Sequence, residues 1–363
     1  LFFSECYPQR KQMIDIKNIS KSMGDFRLKI DDLSIESGSY VVILGDSGAG
    51  KSLFLEILSG LVKPDSGSVM VNQNEVIELP PNKRPFGLLF QEHSLFPHMS
   101  ARRNISFPLK RVSWSRKEIG EKVRSIAQKL EASHLLNRSP NTLSGGEKQR
   151  ISLARTLITE PVCLLLDEPL TALDANLKKE IRSLLRWLNR TGQTILHVTH
   201  DYDEALSLAS HIGVMSKGEL IQFGTAEQVL TKPRSSFVAN FTGISNYFRV
   251  ALRPTSNGDV EAVTESGIPV LISTQKTHGA GYIIVPCESI LISLESIETS
   301  AANQFQGRIT EISAARFGVE VKVDTPVPLV ARVTRSALDK MNLLEGQDVW
   351  LSFKASAVQY INK

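Results

Sequence analysis

The period of the apolar positions changes along the chain. From Arg27 to Gly45, "RLKIDDLSIESGSYVVILG" alternates apolar and polar side chains and then runs into the unbroken stretch YVVIL. Alternation places one face of a strand on a core, and an unbroken run suits a parallel strand buried on both faces. Residues 13–44 are accordingly read as strands. A helical period follows in "KSLFLEILSGL", where Leu53, Leu55, Ile57, Leu58 and Leu61 are expected to line a buried face, with Gly60 and Pro64 as stops. Residues 100–138 are charged and mostly helical. "EKQRISLARTLIT" predicts a helix ending before Pro161, and "VCLLLDEP" a buried strand broken by Pro169. "NLKKEIRSLLRWLNRTG" predicts an amphipathic helix closed by Gly192, followed by a strand in "TILHVTH" and a helix in "DEALSLAS". Strands alternating with helices imply a mostly parallel sheet covered by helices.

The pattern changes again after "KPRSSFVANFTG", residues 232–243. From 246 on there are short β-like runs such as "YFRVAL", "IPVLIS", "GYIIVP", "QGRITEIS", "VEVKVD" and "DVWLSFKA", with one helical stretch, "RSALDKM". Regular short strands suggest a small barrel. "GYIIVPCESILIS" resembles "DVWLSFKASAVQYI" in pattern, as "YFRVAL" resembles "QGRITEI", so the region reads either as two related halves or as two unrelated hairpins.

At 363 residues the chain is long enough for two or more domains, and 42% apolar content excludes a disordered chain. The net charge of +4 is interspersed; the short basic runs "RRNISFPLKR" and "SWSRK" read as solvated surface, and no nucleic-acid partner is expected. Cys6, Cys163 and Cys287 are widely separated, which fits reduced thiols, and Cys163 in its apolar run reads as a core residue. No stretch approaches the roughly 20 apolar residues of a membrane-spanning helix. The opening "LFFSECYPQRKQ", residues 1–12, is expected to be an extension ahead of Met13.

Candidate chemistry starts at "GDSGAGKS", Gly45–Asp46–Ser47–Gly48–Ala49–Gly50–Lys51–Ser52. It follows a strand and opens a helix, as a phosphate-binding loop requires. The glycines let backbone N–H groups curl toward phosphates, and the helix N-terminus adds positive potential. Lys51 supplies a point charge for the terminal phosphates and Ser52 a Mg²⁺ ligand. Asp167, ending the "CLLLD" strand, is placed to hold the Mg²⁺ shell, and Glu168 to polarise the attacking water. His200, ending the next apolar strand, is placed near the terminal phosphate or the water. A second glycine pair, Ser144–Gly145–Gly146 in "NTLSGGEKQR", could present N–H groups to another anion.

Gly45–Ser52, Gln91 in "LLFQEHSLFPHMS", "LSGGEKQR", "CLLLDEP", "LTALD" and "HVTHD" occur in the order and spacing of an ABC transporter ATPase subunit, and the resemblance covers roughly residues 13–235. It implies an α/β P-loop ABC ATPase domain at 13–235, with a helical subdomain at about 92–160 and a linker at 236–245. In that family Ser144, Gly145 and Gly146 of one chain would close on ATP held by the other, so a homodimer with two shared sites is implied. Glu168, His200 and Gln91 are then catalytic candidates, Ser52, Gln91 and Asp167 hold Mg²⁺, and Asp174 of "LTALD" belongs to the ATP site. An aromatic often covers the adenine in this family; Met23 stands at that place and Phe26 is three residues on, so either could cover the base. Asp46 replaces a frequent proline. "LFPHMSARRNISFPL", with Leu95, Phe96 and Met99, matches the stretch that receives a membrane permease, although some of these side chains would equally suit a core.

The region 246–363 resembles the all-β, OB-like small-barrel (TOBE) domain of importer ATPases for sugars, polyamines, iron, sulfate and molybdate. "EISAARFG", "VTRSALDKM" and "FKASAV" resemble the oxyanion-binding half of Mop-type molybdate domains, which makes Ser313, Arg316, Thr334, Arg335, Ser336, Lys354, Ala355 and Ser356 the oxyanion candidates. Hydroxyls, amides and cations can satisfy a tetrahedral dianion without a metal. The expectation is an ATP- and Mg²⁺-dependent importer subunit for molybdate or tungstate, peripheral on the cytoplasmic face of the membrane. It would work with a permease and, indirectly, a substrate-binding protein, and its barrel would sense internal oxyanion. The alternatives are an importer for sulfate, Fe³⁺ or polyamine, a stand-alone ABC ATPase, and a purely regulatory oxyanion module.

Overall fold

The computed structural model describes residues 13–91, 94–111, 114–171, 173–241, 244–256, 258–315 and 318–362, so the expected extension 1–12 lies outside the described residues. The chain forms two compact units, one reaching Val229 and one beginning at Leu230.

The first unit is built on one ten-stranded sheet. Its strands are β1 Met13–Met23, β2 Phe26–Glu36, β3 Tyr40–Gly45, β4 Ser66–Val71, β5 Asn74–Glu75, β6 Phe86–Leu89, β7 Cys163–Asp167, β8 Thr194–Thr199, β9 His211–Ser216 and β10 Glu219–Thr225. They lie in the order β5-β4-β1-β2-β10-β9-β3-β8-β7-β6. The half from β9 to β6 is parallel, whereas β1, β2, β4 and β5 pair antiparallel. Every residue of β3 and of β8 is buried, as expected of central parallel strands covered on both faces.

The helices are α1 Lys51–Ser59, α2 Ala101–Ser106, α3 Arg116–Lys129, α4 Gly145–Leu157, α5 Ala175–Arg190, α6 Tyr202–Leu208 and α7 Ala226–Thr231. Left-handed Gly50 and Gly60 bound α1. Its buried apolar face is Phe54, Leu55, Ile57 and Leu58. This corrects the expected set: Leu53 is only half-buried, and Leu61 is 53% exposed because the helix has already ended at Gly60. Cys163 is fully buried in the core. The buried Arg84 donates to the carbonyls of Ile57 and Leu58, closing the C-terminal end of α1 with a cation.

The second unit carries α8 Ser236–Phe241, β11 Tyr247–Pro254, β12 Val260–Thr264, β13 Pro269–Ile272, β14 Gly279–Ile284, β15 Leu291–Ser293, β16 Asn303–Ala315, β17 Gly318–Asp324, β18 Leu329–Val333, α9 Arg335–Met341, β19 Asp348–Phe353 and β20 Gln359–Asn362. They form two five-stranded antiparallel sheets, β13-β12-β11-β14-β20 and β15-β19-β16-β17-β18. The second order read backwards repeats the first, with β16 to β19 standing for β11 to β14 and β15 for β20. In each half a strand, a 3₁₀ turn (Cys287–Ser289 or Ala355–Ala357) and a short strand carry the chain into the other sheet. The resemblance between "GYIIVPCESILIS" and "DVWLSFKASAVQYI" is therefore a true internal repeat with exchanged edge strands. Ile283, Ala262, Val321, Val349, Leu351 and Phe353 are buried in the core of this unit.

Candidate nucleotide site

Neighbouring parallel strands converge on one cleft. β3, β8 and β7 lie side by side, and their C-terminal ends lead into the glycine loop, His200 and Asp167–Glu168. Ligands of open α/β sheets bind at such strand ends. A cavity of about 650 Å³ there is lined by Met23, Phe26, Ser47, Gly48, Gly50, Lys51, Ser52, Leu53, Gln91, Glu168, Thr171 and His200.

The loop geometry explains its glycines. Gly48 and Gly50 have φ of 81° and 96°, in the left-handed region. A Cβ at Gly45 would stand 2.5 Å from the Met215 carbonyl oxygen, and one at Gly50 would stand 2.8 Å from the Phe26 ring. Phe26 thus packs on the loop, while Met23 is 55% exposed. Lys51 is buried, and its Nζ donates to the carbonyls of Gly45 at 2.7 Å and Asp46 at 2.9 Å. Burial lowers its pKa, against the opposing charges of Glu168, Asp167 and Asp46. Asp46, the departure from the usual proline, meets Lys51 through its backbone carbonyl, a contact that does not depend on its side chain.

Ser52 Oγ donates to Asp167 Oδ1 at 3.0 Å. Burial pushes the Asp167 carboxyl up despite this hydrogen bond. Glu168 has a positive φ of 44° and is held at both carboxylate oxygens: Oε1 lies 2.9 Å from His200 Nδ1, and Oε2 accepts from Thr171 Oγ1 at 2.8 Å. Burial pushes Glu168 up, but these bonds and the charges of His200 and Lys51 outweigh it, leaving the carboxyl below its usual range.

Ser144, Gly145, Gly146 and Asp174 do not line this cavity. Ser144 opens α4 in a capping box: its Oγ accepts from Glu147 N at 3.3 Å, and Glu147 Oε2 accepts from Ser144 N at 2.7 Å. Gly145 and Gly146 are the first helical residues rather than a separate turn, so their N–H groups have no intrahelical acceptor. Asp174 caps α5, accepting from Asn176 N and Leu177 N.

Single chains at 38% identity decide the family. The chain is 38% identical over 348 residues to the molybdate/tungstate import ATP-binding protein WtpC of Pyrococcus horikoshii, covering 95% of this chain and 99% of that one. The chain belongs to the ABC transporter family. The ABC transporter family model matches residues 28–171 and the TOBE domain model residues 299–359. This ABC ATPase is also 34% identical over 356 residues to the spermidine/putrescine import ATP-binding protein PotA of Roseobacter denitrificans, covering 96% and 97% of the two chains. Among solved structures, a dimeric bacterial ABC transporter cassette matches at 31% identity and a TM-score of 0.52, over 58% of this chain and 98% of that one. A post-hydrolysis cassette dimer bound to ADP and Pi matches with the same figures.

The segment that resembles a permease-contact stretch is a preformed knob. Buried Asn104 accepts from Phe96 N at 2.8 Å and donates to the carbonyls of Phe96 and Met99, both at 3.1 Å. Leu95, Phe96 and Met99 are half-buried and are not part of the core.

The oxyanion candidates are not gathered by a single chain. Lys354, Ala355 and Ser356 follow β19 beside Asn303, since Asn303 pairs with Phe353. Ser313 pairs with Glu320 at the other end of β16, and Val333, just before Thr334, pairs with Val319. At about 3.3 Å per residue, the strand from Asn303 to Ser313 separates the two groups by roughly 30 Å. Thr334 Oγ1 is engaged as the cap of α9, accepting from Ala337 N at 3.1 Å, and Arg335 and Ser336 are exposed. Arg316 lies outside the described residues.

Thr171, Gln149, Asn104 and Arg84 were not singled out by sequence reasoning. Each acts through a backbone carbonyl or a carboxylate that only the fold brings near, so no local pattern marks them.

Proposed function

We propose that this ABC ATPase powers import of molybdate or tungstate, with two copies binding two ATP molecules head to tail. The observation that carries the solute is the 38% identity to WtpC along 95% of the chain, second unit included. The PotA protein of Thermotoga maritima is 41% identical, but over only 65% of this chain. The PotA protein of Roseobacter denitrificans spans 96% of this chain as well, at the lower identity of 34%, so molybdate or tungstate is favoured by whole-chain identity and not by coverage.

In the proposed reaction, the N–H groups of the glycine loop and the Lys51 ammonium hold the phosphates, and Phe26 and Met23 flank the base. Glu168 orients the water and takes its proton, and His200, with Nδ1 on Glu168, keeps Nε2 for the terminal phosphate. Ser144 of the partner subunit, with the two glycine N–H groups that follow it, closes on that phosphate. Ser52 and Asp167 suit Mg²⁺: they are hard oxygen donors already 3.0 Å apart, and Mg²⁺ commonly takes few protein ligands beside phosphate oxygens. When bound, the ion would neutralise charge on the phosphates; Gln91 at the cavity edge is its third candidate ligand. The Asn104-braced knob is the proposed permease contact. No described helix is long and apolar enough to cross a membrane, in keeping with a subunit docked on the cytoplasmic face.

The separated oxyanion groups suit a site made where two second units meet, one chain contributing Ser313 and Thr334–Ser336 and the other Lys354–Ser356. Calorimetric titration of the purified full chain with molybdate, tungstate, sulfate and spermidine tests this. Binding of molybdate and tungstate, weakened about 10- to 150-fold by Lys354→Ala as expected for one charge-assisted contact, supports the proposal. Heat from spermidine alone would move the assignment to polyamines.

A further inference from the structure

A row of ionisable side chains lies inside the first unit, and none of them lines the nucleotide cavity. Tyr40 on β3, His197 on β8 and Glu204 on α6 are all buried, at 1%, 0% and 1% exposure. Val42 pairs with His197, so Tyr40 and His197 point to the same face of the sheet, the one that α6 packs on. The Tyr40 hydroxyl stands 3.1 Å from His197 Nδ1, and His197 Nε2 stands 3.2 Å from Glu204 Oε2. The second contact is short but off the line of a hydrogen bond, for neither atom has a hydrogen-bond partner among the described residues. Arg182 and Arg186 of α5 are the cations whose charge reaches Tyr40, and Arg186 donates to the Ser207 carbonyl at 3.2 Å. Apolar side chains of similar volume would fill this space at less cost, so what the buried pair adds is direction.

We infer that His197 and Glu204 are positioning residues for His200, their contact closing the loop that presents its imidazole to the cleft. The inference rests on His200 facing the terminal phosphate. His200 lies between the two in sequence, and its side chain is 54% exposed, so little packing holds it. Its backbone is held instead from both sides. On the β8 side, Thr199 Oγ1 accepts from Asp201 N at 3.0 Å. On the α6 side, Asp201 Oδ1 caps the helix, accepting from Asp203 N at 2.8 Å and from Glu204 N at 3.3 Å. These bonds shape the turn but do not by themselves fix the tilt of α6. Only Glu204 and Ala205 of α6 are buried, so Glu204 is the larger of its two anchors. Its carboxylate against the His197 ring ties the first turn of α6 to the middle of β8. With the Tyr40 hydroxyl donating to Nδ1, the ring proton stands on Nε2 and faces that carboxylate, and the ring is braced at both nitrogens. A tilt of α6 would open this contact and carry His200 away from Glu168, whose Oε1 its Nδ1 meets at 2.9 Å. Neither His197 nor Glu204 has to touch nucleotide to act.

The test is steady-state ATP hydrolysis, with thermal unfolding alongside, by the full-length protein carrying Glu204→Met, Glu204→Gln or Tyr40→Phe. Each is made in the wild-type and in the His200→Ala background. Glu204→Met keeps the length of the side chain and removes its oxygens. The expected result is a fall in kcat of about tenfold with KM within about twofold, the low end for a contact made by a charged group. Glu204→Gln keeps an acceptor at the same reach and should stay within about threefold of wild type. Tyr40→Phe removes one oxygen from the far side of the ring and should lower kcat about threefold, as for a neutral hydrogen bond. It carries the test if Glu204→Met does not fold. In the His200→Ala background each substitution should change the remaining turnover by less than about twofold, because residues that act through one group do not add. A general loosening of the fold would instead lower turnover by the same factor in both backgrounds. That result, or wild-type kcat in the folded variants, overturns the inference. If His200→Ala itself turns over like wild type, the role of His200 fails instead, and the two failures are told apart.

Discussion

His200 Nδ1 lies 2.9 Å from Glu168 Oε1, joining the residue after β8 to the residue after β7. With its Nδ1–H on the carboxylate, the imidazole keeps Nε2 for a second partner, and one hydrogen bond orients both side chains. Neighbouring parallel strands that end at the same level make this contact possible.

Replacing Glu168 by Gln keeps the side chain's size and its acceptor for Thr171 but removes the base. ATP binding should persist while turnover falls by about 10²- to 10⁴-fold, the usual contribution of a positioned acid or base. The variant should accumulate as an ATP-bound dimer. Turnover assays with size-exclusion chromatography in ATP check both parts, and wild-type turnover would reject the role given to Glu168.

The Cys163 thiol is fully buried on β7, and burial pushes its pKa up to about 12. An acid whose folded pKa is raised contributes stability that is intact below its unfolded value, ordinarily about 8.5, and is lost as pH climbs toward the folded one. Stability should therefore decline across the alkaline range, more steeply than in Cys163→Ala. In native protein at pH 8, Cys163 should resist a thiol reagent until denaturant is added. Peptide mapping of the labelled protein reads this directly, and rapid native labelling of Cys163 would contradict the buried strand.

Much of this arrangement was legible in the chain itself. YVVIL marked β3 because a doubly covered strand leaves no polar alternation, and Gly48 and Gly50 marked the loop because only a glycine-rich segment takes those φ values readily. The periodic leucines of α1 were legible as a helix, but its orientation was less so: Phe54 rather than Leu61 completes the buried face, because Gly60 ends the helix first. Thr171 and Gln149 gave no signal, since a hydroxyl and an amide are ordinary anywhere until the fold brings them to Glu168 and Pro169. The oxyanion candidates show the opposite case. Short motifs grouped Ser313 with Lys354 by likeness, whereas the length of β16 holds them apart within one chain.

Sharing of each ATP between two chains is tested most directly by hydrolysis in mixed dimers. One preparation combines a Ser144→Arg chain with a Lys51→Ala chain. If Ser144 serves the partner's nucleotide, both lesions fall in one composite site and the other site stays whole. The second preparation combines a wild-type chain with one carrying both substitutions, which spoils both sites. The prediction is substantial ATPase activity in the first and near-background activity in the second. The reverse pattern, near-background activity in the first and substantial activity in the second, would show that Ser144 and Lys51 act on the same nucleotide within one chain; that result, or equal activity in the two, would contradict the shared site.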